Sequence, residues 1–162
     1  MDKTLFTKIY SISDFLEWSI KNKNLLEPRA KQIFERYYSS YIKTFSSYIK
    51  KNYNLQTLEV CKYINKNVKI LEIGAGCGTE AIWFAMQGAK VLSIDINQDR
   101  IFVANSRKKV IEEIIESKLD VEFKYCSIFD LKNEYHNGFD IIWMEQAFHH
   151  IEPRDDFFAN PK

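Results

Sequence analysis

Cysteine, proline, glycine and long apolar runs are all in short supply in this chain. The three cysteines, Cys61, Cys77 and Cys126, lie far apart with no Cys-x-x-Cys pair. That pattern argues against a disulfide framework or a zinc knuckle and fits reduced thiols. No metal site is expected. Nowhere do about 18 uncharged apolar residues follow one another, and the opening MDKTLFTKIYSISDFLEW holds no sustained apolar stretch. Neither a membrane span nor a signal peptide is indicated, so the expectation is a cytoplasmic protein without membrane contact. The net charge of +1 lacks the strong basic footprint of nucleic-acid proteins. Its distribution is uneven, however. Residues 1–66 carry 12 Lys/Arg against 6 Asp/Glu, and residues 67–162 carry 11 against 16. Two solvated surfaces of one domain account for this, while a basic surface for RNA or an anionic substrate stays open.

What is present is enough apolar material, 46% of 162 residues with 15% aromatic, for one ordinary domain with a real core. Residues 1–66 read as helical. SISD at 11–14 has the form of a capping box ahead of Phe15, Leu16 and Trp18. Pro28 suits a first helical turn, and apolar residues from Ala30 to Ile49 recur at intervals of three and four. One amphipathic helix over Pro28–Lys51 is therefore expected. Its tyrosines, Tyr37, Tyr38, Tyr41 and Tyr48, could roof a ligand site, although packing is the default reading at helical spacing. TLEVCKYI, 57–64, reads as a further short helix. From residue 67 strand and helix patterns alternate: VKILEI, TEAIWFAMQG, KVLSID, the helix NQDRIFVANSRKKVIEEIIES, VEFKY and FDIIWM. Such alternation calls for a parallel, doubly wound sheet. His136, beside Asn137 and Gly138, reads as a turn residue.

Three of the five glycines, Gly74, Gly76 and Gly78, fall within five positions directly after the first strand. A loop lacking Cβ atoms there can run close beneath a ligand, and the helix starting near Thr79 turns unpaired N–H groups toward it. Dinucleotide-binding loops favour Gly-x-Gly-x-x-Gly, but the position of that third glycine is Thr79 here. The spacing is Gly-x-Gly-x-Gly preceded by an acid, EIGAGCG, and it resembles motif I of the class I S-adenosylmethionine-dependent methyltransferases. The likeness extends through Asp95 at the end of the second strand, VEFKYCSIFDL at 121–131 and FDIIWMEQAFHHIEP at 139–153.

That resemblance implies an α/β, Rossmann-like parallel sheet in the order 3-2-1-4. It implies an S-adenosylmethionine-binding domain over 67–162 behind a helical cap over 1–66. Glu72, Gly74, Ala75, Gly76, Cys77, Gly78, Asp95, Ile96, Ser127, Ile128 and Glu145 would then contact the cofactor. Glu72 suits its amino-acid end through charge or a bridging water, and Asp95 its ribose hydroxyls. Ser127 occupies the place of the family's adenine-binding Asp, so either its hydroxyl substitutes or Asp130 reaches in. Cys77 reads as a small filler. His149 is the candidate base, and since neighbours on a helix point about 100° apart, only one of His149 and His150 is expected to face the pocket. The implied reaction is in-line methyl transfer to a small-molecule acceptor, with release of S-adenosylhomocysteine. Alternatives are a non-catalytic cofactor- or partner-binding module, an RNA methyltransferase and, third, a nicotinamide oxidoreductase. A sheet ending at the fourth strand would expose an apolar edge, so a missing C-terminal segment or a second chain is expected to complete it.

Overall fold

The computed structural model describes residues 9–40, 47–131 and 138–155. Helix α1 (Ile12–Lys21) begins where the capping box places it. Ser11 Oγ accepts from the Asp14 N–H at 3.2 Å and donates to Asp14 Oδ2 at 2.7 Å. Its buried stripe, Ile12, Phe15, Leu16 and Ser19, follows the 3–4 spacing of one helical face. Helix α2 (Pro28–Tyr37) starts on Pro28 and buries Ala30 and Phe34. The single helix expected over Pro28–Lys51 is not what forms. A turn interrupts it at Tyr38, and a separate helix α3 spans Ser47–Cys61, absorbing most of TLEVCKYI. Tyr41, Ile42, Phe45 and His136 lie outside the described residues. At the turn Tyr38 packs against Phe34, ring centroids 4.8 Å apart, and shares a 2.6 Å hydrogen bond with Thr79 Oγ1, so it faces the sheet domain. Asn54 of α3 ties back to α1 by accepting from Ser13 N and Oγ at 3.0 and 2.7 Å.

Strands β1 (Lys69–Ile73), β2 (Lys90–Asp95), β3 (Val121–Tyr125) and β4 (Ile141–Trp143) form one parallel sheet in the order β3-β2-β1-β4. Helices α4 (Thr79–Met86) and α5 (Gln98–Ile115) join the first three strands. After their first residues β1 and β2 are buried without alternation, as expected of a parallel sheet covered on both faces. One face, with Ile70, Val91 and Val121, packs against Ala81, Phe84, Ile101 and Ala104, and α1 adds Ile12 and Phe15 to that same core. On the other face Leu71, Ile73, Leu92 and Ile94 are covered by Leu131 and Ile151. Strand β4 is three residues long, pairs among the described residues with β1 alone, and leaves Ile142 half exposed. No helix among the described residues is long and apolar enough to cross a membrane.

Candidate active site

Beyond the carboxyl ends of β1 and β2 opens a cleft of about 770 Å³. Its walls include Gly74, Asp95, Ile96, Ser127, Ile128, Glu145 and His149, residues that the sequence motifs nominate from four separate segments. Asp95 is the best-anchored of them. Its Oδ2 accepts from the Gly76 N–H at 2.9 Å and its Oδ1 from the Asn97 N–H at 2.8 Å. The carboxylate is thereby aimed by backbone on both sides, and each oxygen keeps a lone pair for a further donor. Ile96, largely exposed, offers an apolar surface beside it.

The glycine bend is held by Gly74 and Ala75 N–H groups, both donating to the Ile94 carbonyl, at 2.8 and 2.9 Å. Gly76 and Gly78 have φ of +51° and +77°. A Cβ on Gly76 would lie 2.4 Å from the Tyr37 hydroxyl, and one on Gly78 would lie 2.8 Å from Ala104 Cβ and Phe123 Cζ. Glycine is therefore required at these two positions, because neighbours come close on both sides. Only Gly74 of the five residues 74–78 borders the cleft; Ala75, Cys77 and Gly78 are buried. Cys77 is a filler: burial pushes its thiol up to about 12, far from a reactive thiolate.

Glu72 departs most from its expected position. It sits beneath the cleft, 2% exposed, instead of at the loop's mouth, and Ser93 Oγ donates to its Oε2. The physical reason is strand alternation, which turns residue 72 to the same face as Ser93, toward Glu80 and away from solvent. Burial, then the nearby Glu80 charge, raise it well above the ordinary carboxylate value of about 4.5, against the lowering effect of Ser93. The native state thus keeps a proton that the unfolded chain has lost. Stability from this group is full below about pH 4.5 and falls as pH climbs through the raised native value. Glu72→Gln, which keeps an acceptor for Ser93, is expected to flatten the decline of Tm as pH rises above about 4.5. An unaltered slope in thermal melts across that range would mean that Glu72 is ionised in the fold.

Ser127 Oγ accepts from the Phe129 N–H at 3.3 Å, capping a 3₁₀ turn over Ile128–Asp130, and its own hydroxyl hydrogen can still be donated. Asp130 is exposed and away from the cleft, so of the two ways to reach adenine only Ser127 stands at the wall. His149 and His150 both border the opening, with ring centroids 3.9 Å apart, contrary to the expectation that one would turn away. They occupy a single exposed 3₁₀ turn (Phe148–His150), which lies along the rim and buries neither ring. Glu145 and Gln146 also line the wall, and Gln146 has a left-handed backbone at φ +51°.

Tyr37 and Arg100 line the cleft from outside the motifs. Tyr37 comes from α2, with its hydroxyl over Gly76, and burial raises its pKa so that it stays a protonated donor. Arg100 stacks on the Tyr37 ring at 5.2 Å and reaches to 3.7 Å from Asp95 Oδ2. Each left a sequence signal: Tyr37 belongs to the tyrosine stripe, and Arg100 puts a cation in the first turn of a helix, where the dipole disfavours it. Among the described residues no cluster of His, Cys, Asp and Glu is arranged to hold a metal.

A bend after β1, an acid closing β2 and a cleft over the strand ends of a 3-2-1-4 sheet define a Rossmann-like fold of the class I S-adenosylmethionine-dependent methyltransferase type. The family described as "Methyltransferase domain" matches residues 71–161, more than half of the chain, and the chain belongs to that family. A protein of Staphylococcus carnosus named "Uncharacterized methyltransferase" is 33% identical over 87 residues, covering 54% of this chain and 36% of its own length. Phosphoethanolamine N-methyltransferase 2 of Haemonchus contortus, solved in complex with phosphomonomethylethanolamine and S-adenosylhomocysteine, is 25% identical with a TM-score of 0.54. The match covers 67% of this chain and 24% of that one. The YcgJ protein from Bacillus subtilis is also 25% identical, with a TM-score of 0.51, over 62% of this chain and 42% of its own. The chain thus spans about a third of the curated relative and between a quarter and two fifths of these solved structures.

Proposed function

We propose that this chain binds S-adenosylmethionine in the cleft above β1 and β2 and serves methyl transfer to a small-molecule acceptor. The observation that carries the reading is Asp95, aimed by Gly76 and Asn97 into a cleft whose volume suits a ligand of that size. The donor set fits the cofactor. Asp95 accepts the ribose hydroxyls, Ile96 faces the flat base, Ser127 and the Ile128 N–H meet the base's edge, and Gly74 with Glu145 face the cationic end. The buried Glu72 ties β1 to β2 through Ser93, behind the bend.

When bound, S-adenosylmethionine supplies an already activated methyl carbon. The residues of this chain then have mainly to hold two reactants in line and exclude water, an effect that reaches about 7–11 kcal/mol in favourable cases. His149, at the rim, is placed to take a proton from an acceptor entering there. Residues 1–66 act as a cap, since α2 sends Tyr37 over the bend, and 67–162 form the cofactor-binding part. We place the protein in the cytoplasm, consistent with its three free thiols. Among the described residues no strand pairs with the outer edge of β4, which supports completion of the sheet by a further segment or a second chain.

Titration calorimetry with S-adenosylhomocysteine, followed by a labelled-methyl screen of small acceptors, tests this reading. Binding is expected for the chain alone, and transfer is expected once the sheet is completed. A folded chain that binds neither S-adenosylmethionine nor S-adenosylhomocysteine would refute the assignment. Full transfer by an isolated monomer would refute the need for completion.

A further inference from the structure

Arg107, on α5, is 3% exposed and lies behind the glycine bend, outside the cleft lining. Its Nη1 donates to the Cys77 carbonyl and to Thr79 Oγ1, both at 2.7 Å, and its Nη2 donates to Ser19 Oγ of α1 at 2.9 Å. The guanidinium carbon stands 5.5 Å from the Phe15 ring centroid and 5.1 Å from that of Phe34. Ser19 passes its own hydrogen to the Phe15 carbonyl at 2.9 Å, and Thr79 shares its 2.6 Å bond with Tyr38. One planar fork thus meets α1 at Ser19 and Phe15, α2 at Phe34, and the end of the bend at Cys77 and Thr79.

Holding a cation there is costly. Among the described residues none of its hydrogen bonds goes to a carboxylate, and it faces the N-terminal end of α4, whose dipole opposes positive charge. Glu80, in the first turn of α4, provides a partly offsetting charge. An apolar side chain of similar length would fill the space without desolvating a charge. What the guanidinium supplies in exchange is directional bonds to two parts of the chain at once.

We propose that Arg107 is a positioning residue that makes the shape of residues 76–79, whose Gly76 N–H aims Asp95 into the cleft, depend on the seating of α1 and α2. The same bonds work in both directions. A ligand that favours the bend's shape seats the helices, and seated helices raise ligand affinity by the same factor. Tyr37 is carried to the bend by α2, so seating also places a lining residue of the cleft. The proposal rests on the reading of the cleft as an S-adenosylmethionine site.

Calorimetry and hydrogen exchange on the whole chain test it, with S-adenosylhomocysteine as the probe and folding checked by circular dichroism. In the wild type, the ligand is expected to slow amide exchange along α1, although no residue of α1 borders the cleft. In Arg107→Met the affinity is expected to fall at least tenfold and the slowing in α1 to vanish, while slowing at residues 94–97 persists. Arg107→Lys, which cannot form the whole fork, is expected to fall between. Should Arg107→Met not fold, Ser19→Ala removes the α1 arm alone and is expected to abolish the slowing in α1. Wild-type affinity and undiminished slowing in α1 in a folded Arg107→Met, or undiminished slowing in Ser19→Ala, would overturn the proposal alone. Absence of ligand binding by the wild type would overturn the functional reading and this proposal with it.

Discussion

Asp95→Ala is expected to weaken S-adenosylhomocysteine binding by about 100-fold or more, equivalent to roughly 2.7 kcal/mol. Two losses combine. The carboxylate is the acceptor for the buried Gly76 N–H and the part-buried Asn97 N–H, so without it the bend is no longer held in the shape that meets the ligand and must be ordered on binding. The same carboxylate provides charge-assisted acceptors for the ribose hydroxyls. Asp95→Asn keeps one acceptor oxygen but turns an amide donor toward the other N–H, so it should retain part of the affinity. Arg100 contributes less, because its side chain is 43% exposed and its 3.7 Å approach is screened by water. Calorimetry on the three proteins checks the ranking, and wild-type affinity in Asp95→Ala would remove Asp95 from the site.

Gly78→Val should destabilise the fold by about 3 kcal/mol or more, lowering Tm by roughly 6–12 °C for a chain of this size. A β-branched residue is strained at φ +77°, and its Cβ would collide with Ala104 Cβ and with Phe123, each within 2.9 Å. Gly88→Val is the control. It has φ +104° but nothing within 4 Å of a Cβ, so it carries backbone strain without the collision. The difference between the two melts measures how tightly α5 and β3 close on the bend. Equal losses would show that the contact with Ala104 and Phe123 yields easily.

The strands and the two crossover helices were legible because each buries a continuous or periodic apolar set, and periodicity is local. Val91–Ile94 and Ile70–Ile73 carry their pattern within four residues. The capping box at Ser11 was legible for the same reason, as its partner Asp14 is three residues away. The long helix over Pro28–Lys51 misled because the 3–4 spacing passes through Tyr38 unbroken. At that turn Tyr38 bonds to Thr79, 41 residues along the chain, a partner that helical spacing cannot reveal. Glu72 misled similarly: its place in the motif suggested the cleft, but strand alternation turned it toward Ser93.

From the order of residues alone came the parallel α/β arrangement, the bend at Gly74–Gly78 and the acid that ends the second strand, since all three depend on spacing along a few adjacent residues. Folding in three dimensions decided which groups share the cleft. It set Tyr37 above Gly76, brought Arg100 beside Asp95, and turned Arg107 into a buried link between Ser19 and Thr79. Those neighbours lie in separate segments, and side chains so distant in sequence meet only when a shared core fixes the helices on the sheet.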